Sequence, residues 1–298
     1  MPAARSAPAR SARADAAPPQ LLLLGAVGSV QFGSAFADKI FGSVGPGGVA
    51  FLRVLFTAVV LLVVVRPRLT GRTPAQLRLV AAYGLALAGM NWSFYEALDH
   101  LPLGVAVTVE FTGPLAVAVA GSRRLLDGVW VLLAGGGVAL LASRGGEDGV
   151  EPIGIALVLI AASCWALYIL LAKRVGASYG ALEALALGMA VGTVLVAPAG
   201  VAQGGTALLH PGVLAGCLGV AVLSSLIPYS LELVALRRLS TAVFGLLMSL
   251  EPAMAALAGV LVLGEDVSVA LAVAVVLVAT ASVGSSLTSR RPASPLDG

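Results

Sequence analysis

Two carboxylates sit where carboxylates are costly. Glu110 and Glu251 lie deep within long apolar stretches, at 102–121 and 240–263. An ionisable group near the centre of a bilayer costs roughly 2.5–3.5 kcal/mol on insertion scales, and such groups usually face a bundle interior and mark a substrate or proton path. At roughly 1.5 Å per helical residue, both come out near mid-depth, about 12–17 Å from the nearer interface. Pro114 follows Glu110 by one helical turn, and Pro252 follows Glu251 directly. Proline removes a backbone donor and frees the carbonyl four residues earlier, here those of Glu110 and Met248, which bends a helix or exposes a polar group. The chemistry of such a pair is cation binding: two kinked helices line a central cavity and offer negative charge to an ammonium group or a proton. The plainer alternative is that both acids are structural, hydrogen-bonded to neighbouring helices.

Other polar side chains recur at helical spacing. Gln31, Ser34 and Asp38 share one face, as do Asn91 with Tyr95, Trp165 with Tyr168, and Ser225 with Tyr229 and Glu232. The candidate substrate-binding or coupling residues are Glu110, Glu251, Asn91, Tyr95, Trp165, Tyr168, Tyr229 and Gln31, with Pro114 and Pro252 as helix kinks. The competing role for the neutral residues is helix–helix adhesion, worth on average about 0.6 kcal/mol per hydrogen bond. Arg53 has three readings: it binds a substrate carboxylate, pairs with Asp38, or snorkels outward. Glu232 is expected to meet Arg237 or Arg238 at one interface, Glu96 lies near the opposite face, and Glu183 reads as interfacial. No clustered nucleophile and base exists, since His100 and His210 both fall in loops, so an enzyme is not expected. Cys164 and Cys217 lie far apart inside apolar runs and read as small buried residues. No metal, nucleotide or phosphate-loop motif occurs, and no cofactor is expected.

The elements that hold these residues follow from composition. The chain is 59% hydrophobic and 11% charged, against about 25% charged for a soluble domain. A spanning helix needs about 20 mostly apolar residues. Ten such spans are predicted, at 21–41, 47–65, 79–98, 102–121, 125–142, 153–172, 181–202, 212–235, 240–263 and 267–288. None alternates as a barrel strand would. Most of the 18 basic residues fall in clusters between pairs of spans: Arg5/Arg10/Arg13, Arg66/Arg68/Arg72/Arg78, Arg123/Arg124, Lys173/Arg174, Arg237/Arg238 and Arg290/Arg291. The alternate loops are acidic or neutral. Cytoplasmic loops carry the Lys/Arg excess, so both termini are expected in the cytoplasm, in agreement with an even number of spans. The net charge of +3 resides in these loops and is no nucleic-acid signal. Residues 1–19 and 289–298 read as cytoplasmic tails, the first disordered. Ala35-Phe36-Ala37 imitates a signal-peptide cleavage site, but the charge pattern and the repeat both need the first span retained.

The halves resemble each other. Under a shift of 138 residues, Ala97-Leu98 meets Ala235-Leu236, Asn91 meets Tyr229, Pro114 meets Pro252 and Gly121 meets Gly259. The units are 20–143 and 152–288, five helices each. Five is odd, so the second unit enters the membrane upside down, and inverted repeats with a site at their interface are typical of secondary transporters.

EFTGPLAVAVAGSRR at 110–124, PYSLELVALRRL at 228–239 and FGLLMSLEPAMAALAG at 244–259 resemble the EamA-type branch of the drug/metabolite transporter superfamily, and within it the inner-membrane threonine/homoserine exporters. GMNWSFYEALDHLPLGVAV at 89–107 and CWALYIL at 164–170 fit the same pattern. The resemblance covers essentially all ten spans and implies an all-α membrane protein of two inverted five-helix units. It also implies export of small amino acids driven by a proton or substrate gradient. It carries no residue-level substrate code. On this reading a zwitterion enters a midplane cavity from the cytoplasm. Its ammonium meets Glu110 or Glu251, and its carboxylate meets Asn91, Tyr95, Tyr229 or helix-break amides. The rival substrates are lipophilic cationic drugs or another small metabolite. The sequence is silent on oligomeric state.

Overall fold

A chain this apolar must satisfy its backbone internally, and helices do so residue by residue. The computed structural model describes residues 17–68, 71–120, 125–143, 149–236 and 238–288; among them every regular element is helical and none is a strand. The Arg5/Arg10/Arg13, Arg123/Arg124 and Arg290/Arg291 clusters, Arg237 and the two tails, apart from residues 17–19, lie outside the described residues.

The first element, α1 (Pro19–Val65), has 47 residues. At roughly 1.5 Å per residue it is about 70 Å long, more than twice the thickness of a hydrocarbon core. It breaks once, at Gly45 (φ 72°, ψ 163°), ahead of Pro46. The loop expected at 42–46 is therefore absent, and helix continues on both sides of a single bent residue. Ala35-Phe36-Ala37 falls inside the first leg, with both alanines buried. The side chain of Gln203 fills the break: its carboxamide oxygen accepts from the Gly47 N–H at 2.7 Å, and its nitrogen donates to Glu96 at 2.7 Å.

α2 (Pro74–Leu98) starts on a capping box in which Thr73 and Gln76 bond reciprocally. α3 (Leu103–Glu110) and α4 (Thr112–Ala120) are one span interrupted at Phe111. α5 (Leu125–Ala142), α6 (Pro152–Tyr179) and α7 (Ala181–Gly204) follow. α8 (Pro211–Ala221) runs through a π-turn (Val222–Leu226) into α9 (Ile227–Leu236). α10 (Thr241–Met248) and α11 (Glu251–Ala258) form a second interrupted span, which ends in a π-turn (Gly259–Leu263) before α12 (Val269–Thr288). Proline explains the interruptions: α3 ends on Glu110 and α10 on Met248, the two residues whose carbonyls Pro114 and Pro252 leave without a helical donor.

Among the described residues, seven segments are long and apolar enough to cross a membrane: Pro19–Val65, Leu103–Ala120, Pro152–Tyr179, Ala181–Leu209, Pro211–Glu232, Val243–Leu263 and Val269–Leu287. The protein is thus an all-helical, multi-pass membrane protein. Its helices pack across the two halves of the chain. α1 lies mainly on α7 and on α8 and α9, α2 on α6, α3 on α11, and α5 on α12. The α3–α11 crossing is close: a Cβ on Gly104 would stand 3.0 Å from the Cα of Ala256.

Candidate functional site

The interrupted spans and the first two helices enclose a cavity of about 530 Å³, within the roughly 300–1,000 Å³ of small-ligand pockets. Gln31, Asn91, Glu110, Pro114, Trp165, Tyr168, Tyr229 and Glu251 all line it. Residues from both halves of the chain thus converge on one space. Its lining runs to Glu232, Phe244 and Ser286, near the helix ends that carry the basic clusters. The opposite ends, beside the acidic loops, are tied together. The Leu103 N–H donates to the Glu265 carboxylate at 2.9 Å, and His100 Nδ1 meets Glu151 at 2.7 Å.

Glu110 and Glu251 are only 9% and 7% exposed. Among the described residues no hydrogen bond or ion pair reaches either carboxyl; the ion pairs there are Arg72–Glu183 and His100–Glu151. A buried charge normally needs a partner, and the space these two face is the cavity. Glu110 sits at the end of α3, next to Phe111, whose ring meets Trp165 edge-on with centroids 5.9 Å apart. Tyr168 is held by stacking on Tyr83 at 5.2 Å. Asn91 donates its side-chain N–H to the Leu87 carbonyl at 2.8 Å. The buried side-chain oxygen of Gln31 has no hydrogen-bond partner.

Tyr95 departs from expectation. It is fully buried, behind the cavity wall, and its hydroxyl accepts from Arg53 Nη1 at 3.1 Å. Pro252 is likewise buried and absent from the lining, and it stands at the break between α10 and α11. Arg53 does line the cavity. It neither pairs with Asp38 nor snorkels: it is 8% exposed, and its other donors go to Ser225 Oγ at 3.2 Å and the Ser224 carbonyl at 3.0 Å. That carbonyl is free because Pro228, four residues on, has no N–H to give it, and the π-turn opens the backbone further. The sequence signal was an arginine inside an apolar run together with Pro228, and it identified neither of the serine partners. Only the Arg238 half of the pairing expected for Glu232 falls on described residues. Glu232 lines the cavity, and Arg238 makes no ion pair with it; Arg237 lies outside the described residues. Glu183 is where expected, bound to Arg72 at 3.2 Å on the basic side.

Comparison with known proteins agrees with this architecture. The profile of the EamA-like transporter family matches residues 152–287. The threonine/homoserine exporter RhtA of Salmonella typhimurium strain LT2 is 44% identical over 92% of both chains, and that of Escherichia coli K12 is 43% identical over the same shares. One solved crystal structure superposes on 93% of this chain and 98% of its own, with a TM-score of 0.56 at 22% identity, which shows a shared fold. With relatives this similar along almost its whole length, the chain belongs to the EamA-like transporter family.

Proposed function

We propose that this protein exports small amino acids of the threonine and homoserine type across the inner membrane, by alternating access and in exchange for protons. One observation carries the reading: Glu110 and Glu251, from the two halves of the chain, face one cavity with no hydrogen-bond or ion-pair partner among the described residues. A carboxylate in that position is stabilised by a substrate ammonium or by a proton, and taking one in place of the other is antiport. The two relatives named as threonine/homoserine exporters support the substrate class.

The frame for this mechanism is ten spans in two inverted units, 20–143 and 152–288. The legs of α1 supply spans one and two, α2 the third, α3–α4 the fourth and α5 the fifth. The same order recurs from α6 to α12. The interruptions support the repeat, since α3 (Leu103–Glu110) and α10 (Thr241–Met248) coincide under the 138-residue shift. So does the packing. Exchanging the halves turns the contact of span two with span seven into itself, turns one–eight into six–three, and leaves four–nine and five–ten unchanged. A two-fold axis between inverted units has that signature. The basic clusters orient the termini toward the cytoplasm. The cavity then opens inward, with its outer end held shut by Glu265, Gln203 and His100.

The aromatic and apolar walls, including Phe94, Trp165 and Phe244, favour a second reading, efflux of lipophilic cations. The test is counterflow of labelled threonine and homoserine in proteoliposomes, with Glu251→Gln alongside. Saturable uptake by wild type and its loss in the variant are expected. Folded wild-type protein that takes up neither amino acid would overturn the substrate assignment, and resistance to cationic drugs in an overexpressing strain would then favour the second reading. PH-driven efflux that persists in Glu251→Gln would remove Glu251 from the coupling.

A further inference from the structure

The cavity lining holds a cation, Arg53, as well as three acids, Glu110, Glu232 and Glu251, and that cation is held for use. We infer that Arg53 is the carboxylate-binding residue of the substrate site and makes the transporter select zwitterions over amines. The inference rests on the amino-acid reading above and gives it a chemical filter.

The geometry is specific. Each of the three guanidinium nitrogens donates once, to Ser225 Oγ, the Tyr95 hydroxyl and the Ser224 carbonyl. All three acceptors are neutral. The Tyr95 ring adds a cation–π contact, with the guanidinium carbon 5.2 Å from its centroid. These contacts orient the group and solvate it, yet no carboxylate lies within ion-pair distance of it among the described residues. A guanidinium has five N–H donors in a planar fork that matches a carboxylate edge. Three are spent on the wall, and two remain on a group that lines the cavity. Tyr95 and the proline-freed Ser224 carbonyl hold Arg53 from the wall, and Gln31, whose buried oxygen has no partner among the described residues, shares the lining with it. A free amino acid carries a carboxylate for Arg53 and an ammonium for Glu110 or Glu251. A lipophilic cation brings only the second, and it offers no carboxylate to Arg53.

The test is competition against labelled threonine counterflow in proteoliposomes, using threonine, threonine methyl ester and threoninamide. In wild type the ester and the amide should compete at least about tenfold less well than threonine, the scale of one charge-assisted hydrogen bond. In Arg53→Gln the KM for threonine should rise by a similar factor, to the level of the ester, while the ester's own inhibition stays unchanged; Arg53→Lys should recover part of the loss. Wild type that accepts the ester as well as threonine would overturn the inference without any variant having to fold. So would recovery of threonine KM in Arg53→Gln/Glu110→Gln, which would make Arg53 a counter-ion for Glu110. Both outcomes leave threonine transport standing, whereas absence of threonine counterflow by wild type defeats the exporter reading itself.

Discussion

The Glu265 carboxylate caps the first turn of α3, accepting the Leu103 N–H at 2.9 Å across 162 residues of chain. This contact joins the acidic-loop end of α3 to the loop after the Gly259–Leu263 π-turn, and on the proposed mechanism it must break for the cavity to open outward. Burial pushes the Glu265 carboxyl above the ordinary carboxylate range, the nearby charge of Asp38 adds to the rise, and the Leu103 and Gly104 N–H groups pull it back. The sign follows from linkage. The closed state binds the proton more tightly than an exposed carboxyl would, so protonation favours closure. The contribution is complete below the ordinary carboxylate pKa and is lost as pH rises through the raised value. Glu265→Gln should therefore remove a pH dependence of outer-face opening. The readout is labelling of Val105→Cys by a membrane-impermeant thiol reagent, in a background lacking Cys164 and Cys217. Labelling should increase with external pH when Glu265 is present and be flat in Glu265→Gln; an equal pH response in both would refute the assignment.

Gly45 allows α1 to bend between its two legs. Its backbone (φ 72°, ψ 163°) lies in a region that is essentially glycine-only, and a Cβ there would press on the Gln203 side chain. Gly45→Ala should destabilise the protein by about 1–3 kcal/mol, read as a lower midpoint in thermal unfolding in detergent. Gln203→Ala, which empties the space but leaves the strain, should not rescue it fully.

Gln31 supplies a different kind of test, because its buried oxygen has no partner. An unmet buried acceptor costs about 1–3 kcal/mol, so Gln31→Met should leave stability unchanged or raise it. If that oxygen receives a substrate hydroxyl or ammonium, the same variant should raise the KM for threonine. A gain in stability with unaltered KM would make Gln31 a packing residue.

The acids and prolines were legible in the sequence because a membrane makes each of them costly, so their positions imply a reason. Spacing alone brought Gln31, Asn91, Trp165, Tyr168 and Tyr229 to the cavity face of their helices. Three features were not legible. The gap between the spans predicted at 21–41 and 47–65 implied a loop, but backbone groups inside a bilayer favour continued helix with a single break. Tyr95 shares a helical face with Asn91, yet four residues along that helix pass from the cavity to the wall behind it, where its hydroxyl accepts from Arg53. Glu232 was expected to meet Arg237 or Arg238; it makes no ion pair with Arg238, Arg237 lies outside the described residues, and its place in the cavity lining was not anticipated.

Pro114 and Pro252 stand at the breaks of α3–α4 and α10–α11, 138 residues apart, and their effect on stability separates from their effect on transport. Pro252→Ala restores a donor for the Met248 carbonyl, and Pro114→Ala one for Glu110. Each new helical hydrogen bond is worth about 1 kcal/mol net, so neither variant should unfold more easily than wild type. Both should transport more slowly. A straight α10–α11 would carry Glu251 away from the orientation in which it lines the cavity, and a closed turn after Glu110 would do the same for its partner. Thermal unfolding and counterflow on the same preparations decide the matter. Loss of stability together with loss of transport would assign the prolines to folding. Unchanged or higher stability with slower transport would assign the two breaks to the positioning of the acids.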